Sequence, residues 1–280
     1  MKIITRTLWG ADLQTALALN LPYTPRENTT LNEKLGIATN QSIDPAGQKP
    51  AIQYLCIGNG GHKHMTGADG SPYTTPVNHR ASDAALFKHL PFVLREVNND
   101  LSVAERAQYG LRRMEVHNGT NYFAYYLKRM DLSAVVSELQ YTTVLDGVTT
   151  TTPYSPTSDN LNPEQPVMPS TGVITTSGDY LSTSAIVPLF FTEQDVANLV
   201  EVAEIMYENP YMAVISEIGL CSGVDKVITG PGPGNTQINY EEAIGVQIAT
   251  FVTTHYSMSF SNKGFDLQLE LGATEPLLSE

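Results

Sequence analysis

Charge is scarce in this chain. Only 16% of its 280 residues are Asp, Glu, Lys or Arg, against about 25% in ordinary globular proteins. The deficit falls on the cations: 16 Lys and Arg stand against 29 Asp and Glu, a formal net charge of -13. A surface this acidic repels nucleic acid and anionic membrane over most of its area, which excludes a general DNA-coating role. What remains for such a contact is a local basic patch, Arg106, Arg112 and Arg113 near Lys128 and Arg129. Cysteine is nearly absent too. Cys56 and Cys221 sit among apolar neighbours without C-x-x-C or Cys/His spacing, so both are read as buried, reduced thiols with no disulfide and no metal. Long apolar runs are missing: Asp12, Gln14 and Asn20 interrupt the N-terminal stretch, and no run of about 20 apolar residues suits a bilayer. The expectation is no signal peptide, no membrane partner, and synthesis in a reducing cytoplasm.

Small polar residues fill the space that charge leaves. A surface rich in Thr, Ser, Asn and Gln but poor in Lys and Glu suits a protein packed against copies of itself, and ordinary secreted β proteins share it. The length accommodates one large domain or two modest ones with a full hydrophobic core.

The segment with the most concordant local signals is 187–223. Thr192 is positioned to cap a helix whose first turn carries Glu193 and Asp195. Val196, Leu199, Val200, Ala203 and Met206 follow at helical spacing. Asn209-Pro210 ends the helix near Glu208 and leads into a buried apolar run, 211–220. Upstream, Leu13, Leu17 and Leu21 form an apolar stripe after a short N-terminal strand or helix. Residues 26–50 form a polar connection with a turn at Pro45-Ala46-Gly47, suited to an arm that reaches a neighbour. Residues 51–57 read as a buried strand broken by Gly58-Asn59-Gly60-Gly61. Ser82 or Asp83 caps an expected helix through Ala84, Ala85, Leu86 and His89. Ser102 and Glu105 have capping-box spacing for a second helix continuing to Leu111. Residues 122–127 and 139–148 favour strands. Residues 149–184 are rich in Thr, Ser and Pro and read as a surface excursion, a hairpin, or an arm ordered against a neighbouring subunit. Ile244, Val246 and Ile248 alternate, as do Phe265, Leu267, Leu269 and Leu271, and Asn262-Lys263-Gly264 is expected to join them as a hairpin. No internal repeat is visible.

Few constellations suggest chemistry. Glycines 58, 60 and 61 with Lys63 offer backbone amides to an anion, but the phosphate-loop pattern is absent. His62 and His64, with His79 and Asp69, are the potential metal ligands. An interface turn that tolerates Gly and His explains the same residues. His89, His117 and His255 stand alone among apolar or aromatic neighbours, and Ser222 has no spaced partner to activate it. Glu217 lies in an apolar run, where the expectation is a buried carboxylate paired with Arg95 or Arg112. Gly230-Pro231-Gly232-Pro233-Gly234 reads as an exposed rigid tip, with Glu241-Glu242 a solvated acidic spot beside it. No catalytic, cofactor or metal residue is assigned on these grounds.

Three phrases, LFKHLPFVLRE, YFAYYLKRMD and PLFFTEQDVANLVEVAEIMYENPYMAVISEIGLCSG, resemble virion structural proteins of tailed bacteriophages. The resemblance spans roughly residues 80–260 and is one of texture, without a catalytic or ligand motif. It implies a structural subunit, not an enzyme, in the head-to-tail connector or neck, or in the tail, assembled as a homo-oligomeric ring and meeting other virion proteins such as connector, tail or baseplate subunits. DNA would pass such a ring without specific binding. The chain is thus read as an α+β protein: antiparallel sheets packed with a few amphipathic helices, one domain over 1–280, an N-terminal arm at about 22–50 and a long loop or hairpin at about 149–184. The alternatives are a metal-dependent enzyme using the Gly/His-rich loop and a receptor- or carbohydrate-binding β module. The latter is short of aromatic platforms, since its single tryptophan is Trp9.

Overall fold

The computed structural model describes residues 3–36, 43, 48–165, 170–173, 176–259 and 263–278. The chain forms two compact units, Met1–Met130 with Phe191–Phe265, and Asp131–Phe190 with Asp266–Glu280. The fold is mainly antiparallel β with few helices, as the alternation of apolar and polar residues predicts.

The first unit opens with β1 (Ile3–Arg6), α1 (Leu8–Ala18) and the short α2 (Leu31–Lys34). It continues through β2 (Ala51–Gly58), β3 (His62–Thr66), β4 (Pro72–Pro76), β5 (His89–Leu90), β6 (Val93–Glu96), α3 (Val103–Arg106), β7 (Tyr109–His117) and β8 (Thr120–Arg129). The second unit contributes β9 (Ser137–Leu145), β10 (Val148–Pro153) and most of β11 (Thr176–Phe191). The chain then returns to the first unit for α4 (Glu193–Tyr207), β12 (Val214–Pro231) and β13 (Gln237–Ser257), and ends in β14 (Phe265–Leu278).

The principal sheet runs β1-β13-β12-β2-β8-β6, with β5 beside β2 and β7 on β8, all pairs antiparallel. Its spine is the long β12–β13 hairpin, whose Gly-Pro tip closes where Pro231 meets Gln237, as expected. Tyr54, Leu111, Leu127, Ile248 and Phe251 are fully buried in one cluster, joined by Val202 from α4. Burying a side chain of that size stabilises by about 1.5–3 kcal/mol. α4 forms because Thr192 caps it reciprocally with Asp195, and Val196, Leu199, Val202 and Ala203 line its buried face. Glu208, at φ 53°, ends it in a left-handed residue. Residues 29–35 do not extend away from their own unit. Leu31 is fully buried, and Asn32 donates to Ala243 O at 3.0 Å and accepts from Val246 N–H at 2.7 Å, which fixes α2 on β13. The Pro45-Ala46-Gly47 turn lies outside the described residues.

Three expectations need correction. Residues 84–89 form no helix: the chain is irregular to Lys88 and His89 enters β5, because the Phe87 and Lys88 amides bond to Glu217 instead of to a helix turn. The Ser102–Glu105 capping box exists, but α3 stops at Arg106 and Leu111 lies in β7, where pairing with β8 outweighs local helix propensity. The two C-terminal strands are not a hairpin: β13 lies between β1 and β12, whereas β14 follows β11 in a separate sheet. Period-2 alternation identifies a strand but not its partner. Asn262 lies outside the described residues. Of the N-terminal stripe only Leu13 is buried, and Leu17 and Leu21 face solvent.

In the second unit the sheet order is β10-β9-β11-β14. Asp146 and Gly147 have φ of 52° and 77°, the two positive values that a two-residue type I′ turn requires, and they bring Leu145 opposite Val148. β10, the edge strand, is exposed along its whole length. Strands thus take both ends of the 149–184 segment, with a 3-10 turn at Ser158–Leu161; residues 166–169 and 174–175 lie outside the description.

Candidate functional site

The glycine loop after β2 does cradle an anion, and the anion belongs to the protein. Glu217, fully buried in β12, accepts the N–H of Gly60 and of Lys88 on Oε1, each at 2.9 Å. Its Oε2 accepts the Phe87 N–H at 3.0 Å and lies 2.8 Å from His79 Nε2. Four polar contacts in a dry interior match what a buried carboxylate needs. The expected arginine partner is absent from this cluster. Arg95 instead reaches Glu201 at 2.9 Å and Asn198 at 2.8 Å, and Arg112 pairs with Asp100 at 2.8 Å.

The glycines allow this closeness. A Cβ on Gly58 would stand 2.3 Å from Lys88 O, and one on Gly61 would stand 2.4 Å from Ser216 O. Gly61 N–H donates to Ser216 Oγ at 3.0 Å, and Asn59 N–H to Lys88 O at 3.1 Å, so the loop amides are already occupied. His79 extends the cluster. Its Nδ1 lies 3.3 Å from Asp83 Oδ2, and its ring stacks between Phe87 and Phe251 at centroid distances of 4.1 and 3.9 Å. The arrangement ties β2, β12, β13 and the 79–88 segment together through one carboxylate.

His79 is thereby removed from the proposed metal set. His62 meets His64 and His255 edge-on, at centroid distances of 5.0 and 4.9 Å, so His255 is not isolated as its sequence neighbours imply. Asp69 is engaged in its own turn, accepting from Ser71 N–H at 3.1 Å and Ser71 Oγ at 2.6 Å, bonds that hold its carboxyl below the usual range. Among the described residues no group of three or more His, Cys, Asp or Glu is arranged to hold a metal ion. Burial, then the neighbouring His255 and His64, lower the His62 pKa. His62 Nδ1 and Asn59 Oδ1 are buried without a hydrogen-bond partner.

The basic patch read from the sequence dissolves into ion pairs. Arg106 and Arg112 share Asp100 at 3.2 and 2.8 Å, Arg113 holds Glu242 at 2.8 Å, and Lys128 and Arg129 contact Asp195 and Asp225. Glu242 is therefore fully buried rather than solvated, and burial raises its carboxyl pKa against the pull of Arg113. Cys56 and Cys221 are free and buried with sulfurs 3.6 Å apart, and burial pushes the Cys56 thiol up. Ser222 is buried, donating to Gln247 O at 3.4 Å. His89 Nε2 accepts the Leu86 N–H at 3.1 Å, and His117 Nε2 faces Glu115 at 2.9 Å.

The first unit has at least two concavities: one of about 580 Å³ beside α4, lined by Arg95, Tyr122 and Glu201 among others, and one of about 290 Å³ lined by Val103, Arg106, Tyr109, Arg112, Val227 and Tyr240 among others. Sequence reasoning missed the smaller one because its wall is assembled from α3, β7, β8, β12 and β13. Arg112 is held there between the rings of Phe123 and Tyr240, 3.4 and 5.4 Å from their centroids.

Fold and site together define a mainly antiparallel β protein whose strongest polar clusters are closed upon themselves. The chain belongs to a family of unknown function, DUF7208, whose model matches residues 1–280. No curated protein and no solved structure matches it. No helix among the described residues is long and apolar enough to cross a membrane.

Proposed function

We propose that this chain is a structural subunit of a tailed-phage virion, forming a homo-oligomeric ring in the head-to-tail connector or the tail. The observation that carries the reading is where the polar chemistry goes. Glu217, Glu242, Asp100 and the arginines facing them are occupied in holding strands together. Meanwhile the large apolar side chains of Leu145 and Val148 stand exposed on the second unit. Apolar groups left in water on an ordered β framework are what a subunit interface buries. The phrase-level resemblance to virion proteins supplies the setting, and the -13 charge suits a ring that DNA passes without sticking. The metal-dependent-enzyme reading is left with His62 and His64, now beside His255, since His79 and Asp69 are engaged elsewhere. Quantitative mass spectrometry of particles purified from the phage whose genome encodes the chain tests the reading. A fixed ring-like copy number per particle is the expected result, and absence from the particles would overturn it.

A further inference from the structure

Charge divides between the two units sharply. All 16 Lys and Arg and all six His belong to the first unit, and the second holds ten carboxylates without a single basic side chain. The second unit supplies none of its own counter-charge. Its β9–β10 hairpin also carries a pair of aliphatic side chains into water: Leu145 is 73% and Val148 65% exposed, facing each other across the Asp146-Gly147 turn. The four Thr residues of β10 that follow are exposed as well.

The first unit offers the counterpart. Val103 and Val227, 75% and 64% exposed, line the cavity of about 290 Å³ together with Tyr109 and Tyr240. That volume lies near the lower end of about 300–1,000 Å³ in which proteins bury small ligands, and suits two aliphatic side chains. Its lining includes Arg106 and Arg112, whose shared carboxylate is Asp100, and one further anion, Glu241. The wall is thus close to neutral, so Asp146 at the hairpin apex meets no concentration of like charge there.

We propose that the Leu145–Val148 tip of one copy seats in this cavity of a second copy. This contact deepens the ring reading above and rests on it. The hairpin and the cavity are different surfaces, so the contact is heterologous; repeated head to tail it closes a ring when the rotation per copy permits. Apolar burial supplies the attraction, and the charge division biases orientation: second unit against second unit sets a net charge of -10 against -10, whereas the first unit, with 16 Lys and Arg against the remaining 19 of the 29 Asp and Glu, carries only -3 and repels the hairpin's unit far less.

The test uses the full chain and mass photometry over a concentration series. The variants are Leu145→Asp with Val148→Asp, Val227→Asp on the other side of the contact, and Leu161→Asp as an exposed control elsewhere in the second unit. Wild type and Leu161→Asp are expected to assemble alike. The other two variants should need at least tenfold higher concentration while keeping the wild-type circular dichroism spectrum. A mixture of Leu145→Cys chains with Val227→Cys chains should yield a dimer with a short bis-maleimide, and neither chain alone should; Cys56 and Cys221 are buried from the reagent. Rings that persist in both disrupting variants, or assembled mixtures that do not cross-link, overturn the contact and leave the ring reading standing. A wild-type chain that stays monomeric throughout overturns both.

Discussion

Replacing Glu217 by Gln removes the charge and part of the acceptor capacity without opening a cavity. If the amide oxygen keeps the Oε1 position, Gly60 and Lys88 retain their acceptor, and the new NH2 group faces the Phe87 N–H and His79 Nε2. The reverse orientation strands Gly60 and Lys88 instead. Either way two of the four contacts lose their acceptor in a dry site, and a buried donor without an acceptor costs about 1–3 kcal/mol. The expected loss is therefore roughly 2–6 kcal/mol. A protein of 150–250 residues loses about 2–4 °C of Tm per kcal/mol, so melting should fall by about 4 °C at the least and by about 12 °C near the middle of the range. Differential scanning fluorimetry and a circular dichroism melt measure this directly. A Gln variant that melts within about 1 °C of wild type would refute the claim that Glu217 holds the fold through these contacts.

Other substitutions read the same architecture. Gly61→Ala drives a Cβ to 2.4 Å from Ser216 O, so it should destabilise by about 1–3 kcal/mol in a denaturant titration, whereas Gly36→Ala meets no neighbour and acts only through its φ of 71°. His62 has a folded pKa below its ordinary value of about 6.5. The unfolded chain therefore binds the proton more readily: stability from this group is present above about pH 6.5, falls as pH drops through that value, and levels off below the lowered folded pKa. Melting His62→Asn alongside wild type between pH 7.5 and 5 should show a flatter decline in the variant. Cys56 and Cys221 should resist a thiol reagent in the native state and both react after denaturation; native titration of either would contradict their burial.

Where local signals agreed, the sequence was readable. Thr192, Asp195 and the apolar period locate α4 because a cap and a face are properties of neighbouring residues. Alternation and the Gly-Pro run likewise locate β12, β13 and their tip. Two turn signals went unread, Asn118-Gly119 at the β7–β8 turn and Asp146-Gly147, which interrupts the strand expected over 139–148; both pairs have the positive φ angles that such turns require. The Glu217 cluster was only half legible. A carboxylate inside an apolar run declares its burial, but its partners are mostly backbone amides, and every residue except proline carries one. Nothing in Phe87 or Lys88 as residue types marks them as donors to a strand some 130 positions away. The same contacts explain why the helix expected over 84–89 does not form. The charge division needed the fold as well, since 266–280 joins 131–190 in one unit only in three dimensions.

The most direct test of the subunit reading is the mass distribution of the purified chain by mass photometry, with negative-stain images of whatever large species appear. Closed rings of one copy number are expected, growing with concentration at the expense of single chains and holding or strengthening with added salt, which screens the repulsion between copies of net charge -13. A single species with the mass of one chain, unchanged at every concentration and in high salt, would contradict that reading.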